Sequence, residues 1–273
     1  MLKAISLHSI IPVRAEARES AEQNTQMLFG ETCQIFSPLS EASPLNNSSL
    51  SKWTHVRLDS DGQEGWVDTK MLSPITSAEY KSYREAYAHA AQIVFPMAYA
   101  VSENNGQTIP LTAGTRLTNY KDGRFSLLGV SFRIDPNMVI TQPLELNEQN
   151  LMQTVRFFLN VPYLWGGKNA LGMDCSGFVQ TVMGLFGKRL LRNASEQATQ
   201  GRAIKFENAR VGDLVFFNHG EGPVSHVGII LSPLNSKLSP LNWTVVHCSG
   251  RVKVDKLDKK GIISHQLVAI RRV

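Results

Sequence analysis

One cysteine and two histidines of this sequence have the types and the order that thiol chemistry needs. Cys175 lies in the run Met-Asp-Cys-Ser-Gly-Phe-Val at 173–179, between an acid and a Ser-Gly pair. His226 and His247 each lie on a β-like apolar run further along the chain. Covalent catalysis by cysteine requires a thiol nucleophile, a base that takes its proton and a third group that orients the base. The sequence therefore predicts Cys175 as the nucleophile, His226 as the base and His247 as the orienting residue.

The residues that follow Cys175 predict a helix that begins at the cysteine. Phe178, Val179 and Val182 place apolar side chains on one helical face. A cysteine at a helix N-terminus lies at the positive end of the helix dipole, which favours the nucleophilic thiolate. We expect the oxyanion of an attacked carbonyl group to be held by a backbone N–H near Cys175 and by the hydroxyl of Tyr163.

The other two cysteines, Cys33 and Cys248, lack such neighbours and are predicted to be structural. Three cysteines that are far apart in sequence fit neither a disulfide framework nor a zinc spacing, so we expect reduced thiols. His247 and Cys248 are adjacent on one predicted strand and point to opposite faces, which disfavours a shared zinc ion. No metal and no cofactor are therefore expected.

The composition is ordinary for a globular protein, with 273 residues, 42% hydrophobic and 19% charged. The net charge of +5 is mild, and no basic run indicates a nucleic-acid partner. No stretch approaches the length of a membrane span. The apolar patch at 5–12 lacks a cleavage site and predicts a first strand rather than a signal peptide. A cytoplasmic and an exported or periplasmic location both stay open, as does the oligomeric state.

The pattern of helices and strands predicts three domains. Residues 1–74 alternate short strands with glycine turns, which indicates a small all-β barrel. Residues 75–145 begin with a helical pattern at 77–92 and continue with short strands, which we interpret as a second, diverged barrel with an inserted helix. Residues 146–273 have helices first and then a run of strands, which predicts an α+β catalytic domain.

Five short runs follow one another in the last segment. They are Tyr-x-Trp-Gly-Gly at 163–167, Asp-Cys-Ser-Gly-Phe at 174–178, Gly-Asp-Leu-Val-Phe-Phe at 212–217, Ser-His-Val-Gly-Ile at 225–229 and His-x-Ser-Gly at 247–250. In type and order these runs resemble the NlpC/P60 family of papain-like cysteine peptidases, which cleave cell-wall peptides. The resemblance implies a papain-like α+β fold and the same three roles for Cys175, His226 and His247.

Residues 1–74 resemble a bacterial SH3-like (SH3b) domain. The matching runs are Pro-Val-Arg-Ala-Glu at 12–16, Leu-Phe-Gly-Glu at 28–31, Trp-Thr-His-Val at 53–56 and Gly-Trp-Val at 65–67. SH3-like barrels followed by this catalytic domain resemble γ-D-glutamyl-L-diamino acid endopeptidases of the dipeptidyl-peptidase VI type. This resemblance implies hydrolysis after γ-D-Glu in L-Ala-γ-D-Glu-diamino acid peptides, through an acyl-enzyme, with recognition of the free N-terminal amine.

The same resemblance implies a set of substrate-binding residues near the cysteine and on the barrel. They are Tyr163, Trp165, Asp174, Ser176, Ser195 and Glu31. Two positions depart from the pattern of such enzymes, since Gln63 replaces a barrel tyrosine and Asn193 replaces an acid. Both lie where the amine would be recognised, so the strictness of a free N-terminus requirement stays open. The choice between diaminopimelate and lysine stays open as well.

Two alternatives to a short-peptide hydrolase remain at the level of sequence. In the first, the barrels bind murein and the catalytic domain cuts intact stem peptides of the wall. In the second, the chain is a murein-binding protein without activity, although the presence of all three predicted catalytic residues argues against it. Acyl transfer to another amine also stays open, because a thioester can be resolved by water or by an amine. In each case the expected partner is a peptidoglycan-derived peptide or the wall itself.

Overall fold

A computed structural model describes residues 2–36, 52–233 and 243–273. The chain divides into two compact units, Met1–Gln142 and Pro143–Val273. A loop predicted at 37–51 lies outside the described residues. Across the described ranges, no helix combines the length and the apolar character needed to cross a membrane.

The first unit begins with a seven-stranded antiparallel sheet in the order β3-β2-β6-β5-β4-β1-β7. Its strands are β1 (Leu2–Ser6), β2 (Ile10–Arg14), β3 (Gln23–Leu28), β4 (Thr32–Ile35), β5 (Trp53–Leu58), β6 (Glu64–Asp68) and β7 (Leu72–Ile75). Ile11 and Val13 alternate along β2 and are fully buried, as are Val56 in β5 and Val67 in β6. The short strands predicted for the first segment therefore pack around one apolar core.

Helix α1 (Ser77–Ala88) is shorter than the helix predicted at 77–92. Thr76 is its N-cap and forms a capping box with Glu79, whose carboxylate accepts the Thr76 N–H at 2.8 Å. Residues Ala91–Ile93 leave the helix and form β8, which pairs with a strand on each side. All three residues of β8 are buried, and this burial outweighs their helical propensity.

The rest of the first unit consists of two small antiparallel sheets. Their further strands are β9 (Met97–Ser102), β10 (Thr108–Thr112), β11 (Arg116–Leu117), β12 (Arg124–Leu127), β13 (Val130–Arg133) and β14 (Val139–Ile140). The sheet orders are β10-β9-β13-β12 and β11-β8-β14. Phe29 packs edge-on against Phe125 and Phe132, with ring centroids 6.3 and 5.8 Å away. The first two predicted segments thus share an apolar core within one unit, and their division into two SH3-like barrels stays a prediction.

The second unit has its helices first and most of its strands afterwards, so the α+β prediction is confirmed. Its helices are α2 (Glu148–Arg156), α3 (Cys175–Leu185) and α4 (Ala194–Gln197). Its strands are β15 (Lys168–Asn169), β16 (Gly172–Met173), β17 (Arg202–Ala203), β18 (Leu214–Asn218), β19 (His226–Pro233), β20 (Trp243–Ser249), β21 (Arg251–Leu257), β22 (Gly261–Ile262) and β23 (His265–Arg272). The main sheet has the order β17-β23-β18-β19-β20-β21, and β22 pairs with β23.

Helix α3 packs against β19 and β20 of this sheet. Phe178, Val179 and Val182 on the helix are fully buried, as the helical spacing predicts. Because α3 begins at Cys175 and lies against the strands that carry His226 and His247, the packing of this apolar face brings the three predicted residues to the same region of the unit.

Candidate active site

A single carboxylate fixes the N-terminus of the helix that begins at Cys175. Asp174 is the N-cap, and its Oδ1 accepts the N–H of Gly177 at 2.6 Å while its Oδ2 accepts the N–H of Gly166 at 2.9 Å. Arg192 donates Nη1 to Oδ1 at 3.0 Å and Nη2 to Oδ2 at 2.6 Å. The arginine is only 1% exposed and the aspartate 6%. This buried bidentate ion pair holds three backbone segments around the cysteine.

Ser176 belongs to the same buried network. Its hydroxyl lies 3.2 Å from Asp174 Oδ1 and accepts a hydrogen bond from Arg192 Nη1 at 2.9 Å. Its carbonyl oxygen accepts a hydrogen bond from Gln197 Nε2 at 3.2 Å. Asp174 and Ser176 therefore have a structural role next to Cys175, and their contacts with substrate stay a prediction.

The glycine of the Cys-Ser-Gly run is explained by a close backbone approach. A Cβ atom at Gly177 would collide with the carbonyl oxygen of Gly167, and a Cβ atom at Gly167 would collide with the carbonyl oxygen of Gly172. Only glycine permits these contacts. The two glycines thus let the loop before α3 lie directly on the first turn of the helix.

The thiol of Cys175 is 7% exposed. Burial raises its pKa to about 11, and the charge of Asp174 adds to this increase. The backbone N–H groups of Val227 and Ser176, which hydrogen-bond the sulfur, and the charge of Arg192 act in the opposite direction. The place of Cys175 at a helix N-terminus predicted that the helix dipole would favour the thiolate. In the structure, desolvation outweighs that effect, and the resting group is a neutral thiol that needs a base.

Alkylation of Cys175 tests this state directly. Iodoacetamide reacts with thiolates, so the rate constant is expected to be low at pH 7 and to rise through pH values above about 9, the ordinary range for a thiol. Mass spectrometry of the tryptic peptide that contains Cys175 gives the rate constant at each pH. A rate constant that is already constant between about pH 6 and pH 8 would contradict the neutral resting thiol.

The two predicted histidines are joined by a hydrogen bond. His226 Nε2 lies 2.7 Å from His247 Nδ1, and the two rings are nearly perpendicular. His226 is 5% exposed and His247 fully buried. Burial lowers the pKa of His226 strongly, and His247 lowers it further. The resting imidazole at 226 is therefore neutral, which is the form that accepts a proton.

A glycine makes room for this arrangement. Gly228 lies directly opposite His247 in the pairing of β19 with β20. A Cβ atom at Gly228 would lie 2.5 Å from Cγ2 of Val245 and 2.9 Å from the carbonyl oxygen of Val246. The glycine of the Ser-His-Val-Gly run therefore permits the close pairing of β19 with β20, the strands that carry His226 and His247.

The series continues to Asp255, which the sequence argument missed. His247 Nε2 lies 2.9 Å from Asp255 Oδ2. Burial opposes ionisation of Asp255, but hydrogen bonds from His247 and Lys253 hold the pKa of its carboxyl group below its ordinary value. An ionised carboxylate only accepts, so His247 carries its proton at Nε2 and accepts the Nε2–H of His226 at Nδ1. The lone pair of His226 is therefore at Nδ1.

The only feature of the sequence that could have indicated a contact between Asp255 and His247 is the distance of each residue from the turn at Gly250. Gly250 makes a tight hairpin that pairs His247 with Lys253. Asp255 lies two residues further on the same face of β21, in the diagonal position that a long side chain can reach. The run of charged residues after 250 gave no other indication of a strand.

The remaining predicted site residues lie in different environments. Tyr163 is partly buried; burial, followed by the charges of Cys175 and Asp174, raises the pKa of its phenol, so its hydroxyl remains a donor at neutral pH. Trp165 is 58% exposed. Ser195 is exposed in α4. Of these three residues, Tyr163 interacts electrostatically with the thiol of Cys175. Substrate contacts of Trp165 and Ser195 stay predictions.

Glu31 belongs to the first unit. It is 7% exposed, and its carboxylate accepts the N–H of Leu28 at 2.8 Å. This hydrogen bond fixes the acid in the turn between β3 and β4. Its predicted role in substrate binding stays a prediction. Within the described ranges, no group of three or more His, Cys, Asp and Glu side chains is placed to hold a metal ion.

Two family models match this chain. The model of the NlpC/P60 family matches residues 160–272, and the model of the bacterial dipeptidyl-peptidase Sh3 domain matches residues 13–72. Both matches confirm the resemblances that the sequence motifs indicated. The first interval contains all of Cys175, His226, His247 and Asp255.

Two bacterial proteins are among those that are similar to this chain in sequence. The γ-D-glutamyl-L-lysine dipeptidyl-peptidase of Bacillus subtilis is 30% identical over 219 residues, which cover 75% of this chain and 68% of that protein. A probable endopeptidase of Haemophilus influenzae is 49% identical over 70 residues, which cover 25% of this chain and 44% of that protein. The longer match extends beyond the catalytic segment into the first unit, since that segment alone has fewer than 219 residues.

Two solved structures share the fold. An NlpC/P60 family protein of Bacillus cereus has a TM-score of 0.77 and 19% identity, with 99% of each chain covered. An NlpC/P60 endopeptidase of Photobacterium damselae subsp. piscicida has a TM-score of 0.72 and 14% identity, with 98% of this chain and 70% of the other covered. At these identities the likeness concerns the fold alone.

Proposed function

Since this chain belongs to the NlpC/P60 family and is a peptide hydrolase, we propose that it hydrolyses the bond between γ-D-Glu and a diamino acid in peptides derived from peptidoglycan. The name of the Bacillus subtilis relative specifies γ-D-glutamyl-L-lysine peptides. The observation that carries the proposal is the hydrogen-bonded series His226, His247 and Asp255 beside the buried thiol of Cys175.

In the proposed reaction, Cys175 Sγ attacks the γ-carbonyl carbon of D-Glu while its proton passes to Nδ1 of His226. The imidazolium keeps its Nε2–H on His247, which in turn donates to Asp255. This series stabilises the positive charge that forms on His226 during attack, as in other nucleophile–histidine–acceptor arrangements. The need for such stabilisation is large here, because burial disfavours the charged form of His226.

The tetrahedral intermediate then collapses to a thioester. Its oxyanion is held by a backbone N–H at the start of α3 and by the hydroxyl of Tyr163. The C–N bond breaks as the proton on His226 Nδ1 passes to the leaving amine of the diamino acid. Water attacks the thioester and gives a proton to His226, and departure of sulfur releases the peptide with a free γ-carboxylate. The proton then returns from His226 to Cys175.

The function is tested with three substrates at equal concentration. They are L-Ala-γ-D-Glu-diaminopimelate, its N-acetylated form and purified sacculi, with products identified by mass spectrometry. The proposal expects L-Ala-D-Glu and free diaminopimelate from the first peptide. Release of stem-peptide fragments from sacculi at a comparable rate supports a hydrolase of the intact wall. If the protein cuts none of the three substrates, the proposal is overturned.

The N-acetylated peptide addresses the two departures at Gln63 and Asn193. Cleavage of only the free peptide means that the N-terminal amine is recognised despite these residues. Cleavage of both peptides means that the requirement has been relaxed. The lysine analogue of the free peptide, measured in parallel, gives the preference for the diamino acid as a ratio of kcat/KM values.

Asp255→Asn tests the proposed proton arrangement. The amide can present either its oxygen or its NH2 group to His247, so it no longer enforces one tautomer along the series. We expect kcat to fall by about 10- to 100-fold, less than the roughly 10⁴-fold loss when the residue directly bonded to a catalytic histidine is changed in this way. Asp258→Asn, in the same region but outside the series, is the matched control. Equal kcat for Asp255→Asn and wild type would contradict the arrangement.

A further inference from the structure

A third imidazole lies against the ring of His226. His265, the first residue of β23, has its ring centroid 4.5 Å from that of His226, with 26° between the ring planes. The ring of His219 lies on His265 in turn, at 4.5 Å and 41°. His265 Nδ1 lies 2.7 Å from the hydroxyl oxygen of Ser264. The contact between His265 and His226 is therefore ring stacking rather than a hydrogen bond.

We propose that His265 is a positioning residue for His226. The neutral ring of His265 supports the imidazolium that forms on His226 during attack, and the protonated ring of His265 suppresses that imidazolium. This inference rests on the proposed hydrolase function and goes beyond it. It assigns to His265 a control of activity by pH that the series His226, His247 and Asp255 does not contain.

The neutral ring of His265 stabilises positive charge on His226. His226 must become a cation while 5% exposed, where charges interact more strongly than in water. The face of a neutral aromatic ring within 6 Å attracts a cation, and the ring of His265 presents its face to His226 at 4.5 Å. A charged His265 at the same distance repels the imidazolium instead. The same contact thus supports catalysis in one protonation state and opposes it in the other.

The surroundings of His265 keep its ring neutral at pH 7. The ionisable groups that influence it are His219, His226, His247, Lys253 and Asp255. Burial lowers the pKa of His265, followed by His219, His247 and Lys253, and only Asp255 opposes them. His265 is therefore neutral at pH 7 and gains its proton below the ordinary range of histidine, about 6.5. The expected effect is a loss of activity as the pH falls.

The alternative is that His265 only packs against its neighbours and has no effect on the charge of His226. Phe217 already contacts both rings, with centroids 5.9 Å from His226 and 6.3 Å from His265. If the stack only fills space beside Phe217, then a phenyl ring at 265 serves as well at every pH. The two explanations therefore differ in the shape of the pH profile rather than in activity at one pH.

The test compares wild type with His265→Phe and His265→Ala, using kcat and kcat/KM for L-Ala-γ-D-Glu-diaminopimelate between about pH 5 and pH 9. His265→Phe keeps the ring and removes the titration, so kcat near pH 8 should stay within a few-fold and the acid limb should move to lower pH. His265→Ala removes the ring, so kcat near pH 8 should fall about tenfold with little change in KM. His219→Phe, one ring further from His226, should leave kcat near pH 8 unchanged.

An acid limb of His265→Phe that coincides with the wild-type limb overturns the inference. So does an unchanged kcat in His265→Ala. Imidazole NMR gives a readout without substrate: the ring resonances of His226 should shift in wild type as the stacked His265 gains its proton, and this shift should be absent in His265→Phe. If this shift occurs but no peptide is cleaved, the proposed function fails while the link between the two histidines stands. If peptide is cleaved but neither the pH limb nor the NMR titration moves, only the inference fails.

Discussion

Cys175→Ala is expected to reduce hydrolysis of L-Ala-γ-D-Glu-diaminopimelate to the uncatalysed background, a loss of about 10⁴-fold or more. Alanine cannot form the thioester, and the remaining imidazole series has no group to activate except water. The measurement is single-turnover hydrolysis with enzyme in excess, read by mass spectrometry. The free energy of unfolding should change by no more than about 1 kcal/mol, because the exchange removes one sulfur from a helix end that Asp174 continues to hold.

Cys248→Ala is the matched control. Cys248 is also buried, and its thiol donates to the carbonyl oxygen of Met173 at 3.1 Å. Burial, followed by the charge of Cys175, raises its pKa to about 12. The exchange should cost about 1 kcal/mol of stability and leave hydrolysis intact. If Cys175→Ala still cleaves the peptide, or if both variants lose activity equally, Cys175 is not the nucleophile.

The grouping of Cys175, His226 and His247 in one region of the second unit could be predicted from the sequence because each lies in a short run whose neighbours have a local role. The structure explains those neighbours. Asp174 caps α3, Gly177 permits a close backbone contact, and Gly228 permits the close pairing of β19 with β20. Such constraints act over a few residues or across one strand pair, so they leave a recognisable pattern in the chain.

Asp255, His265 and the partner of Asp174 could not be predicted in this way. Asp255 reaches His247 through a strand register, and His265 reaches His226 through the order β23-β18-β19 in the sheet. Arg192 lies 18 residues after Asp174 in the chain and meets it only after folding. The charge state of Cys175 could not be predicted from the sequence either, because it depends more on how deeply the thiol is buried than on its position on the helix.

Asp174→Asn is expected to destabilise the second unit by about 3 to 5 kcal/mol. The amide can still accept the N–H of Gly177, so the N-cap is largely kept. It no longer neutralises Arg192, which is 1% exposed and makes its bidentate ion pair with Asp174. A buried guanidinium without its counter-charge has lost its hydration, and its remaining hydrogen bonds, such as the one to the Ser176 hydroxyl, do not replace the negative charge. Hydrogen exchange of the α3 amides measures this loss for the second unit separately from the first.

A matched surface exchange and a double variant complete the experiment. Glu207→Gln breaks an ion pair with Lys259 on the surface of the second unit, where the two side chains are 53% and 55% exposed, and should lower the free energy of unfolding far less than Asp174→Asn does. Asp174→Asn combined with Arg192→Met removes both charges, so part of the stability should return. A loss in Asp174→Asn no larger than in Glu207→Gln, or no recovery in the double variant, would show that the ion pair does not hold the site.

Asp174→Asn also distinguishes two roles of Asp174, support of the nucleophile and binding of the substrate. Because burial comes first and the charge of Asp174 second in raising the pKa of Cys175, removal of that charge should shift alkylation of the thiol by iodoacetamide to lower pH. If Asp174 acts only through the helix and the thiol, KM for the peptide should stay close to the wild-type value in the fraction of protein that is folded. A rise in KM of tenfold or about 1.4 kcal/mol, with an unchanged alkylation profile, instead assigns Asp174 the contact with substrate that its place in the sequence motif implies. The two measurements thus distinguish a carboxylate that supports the nucleophile from one that binds the peptide.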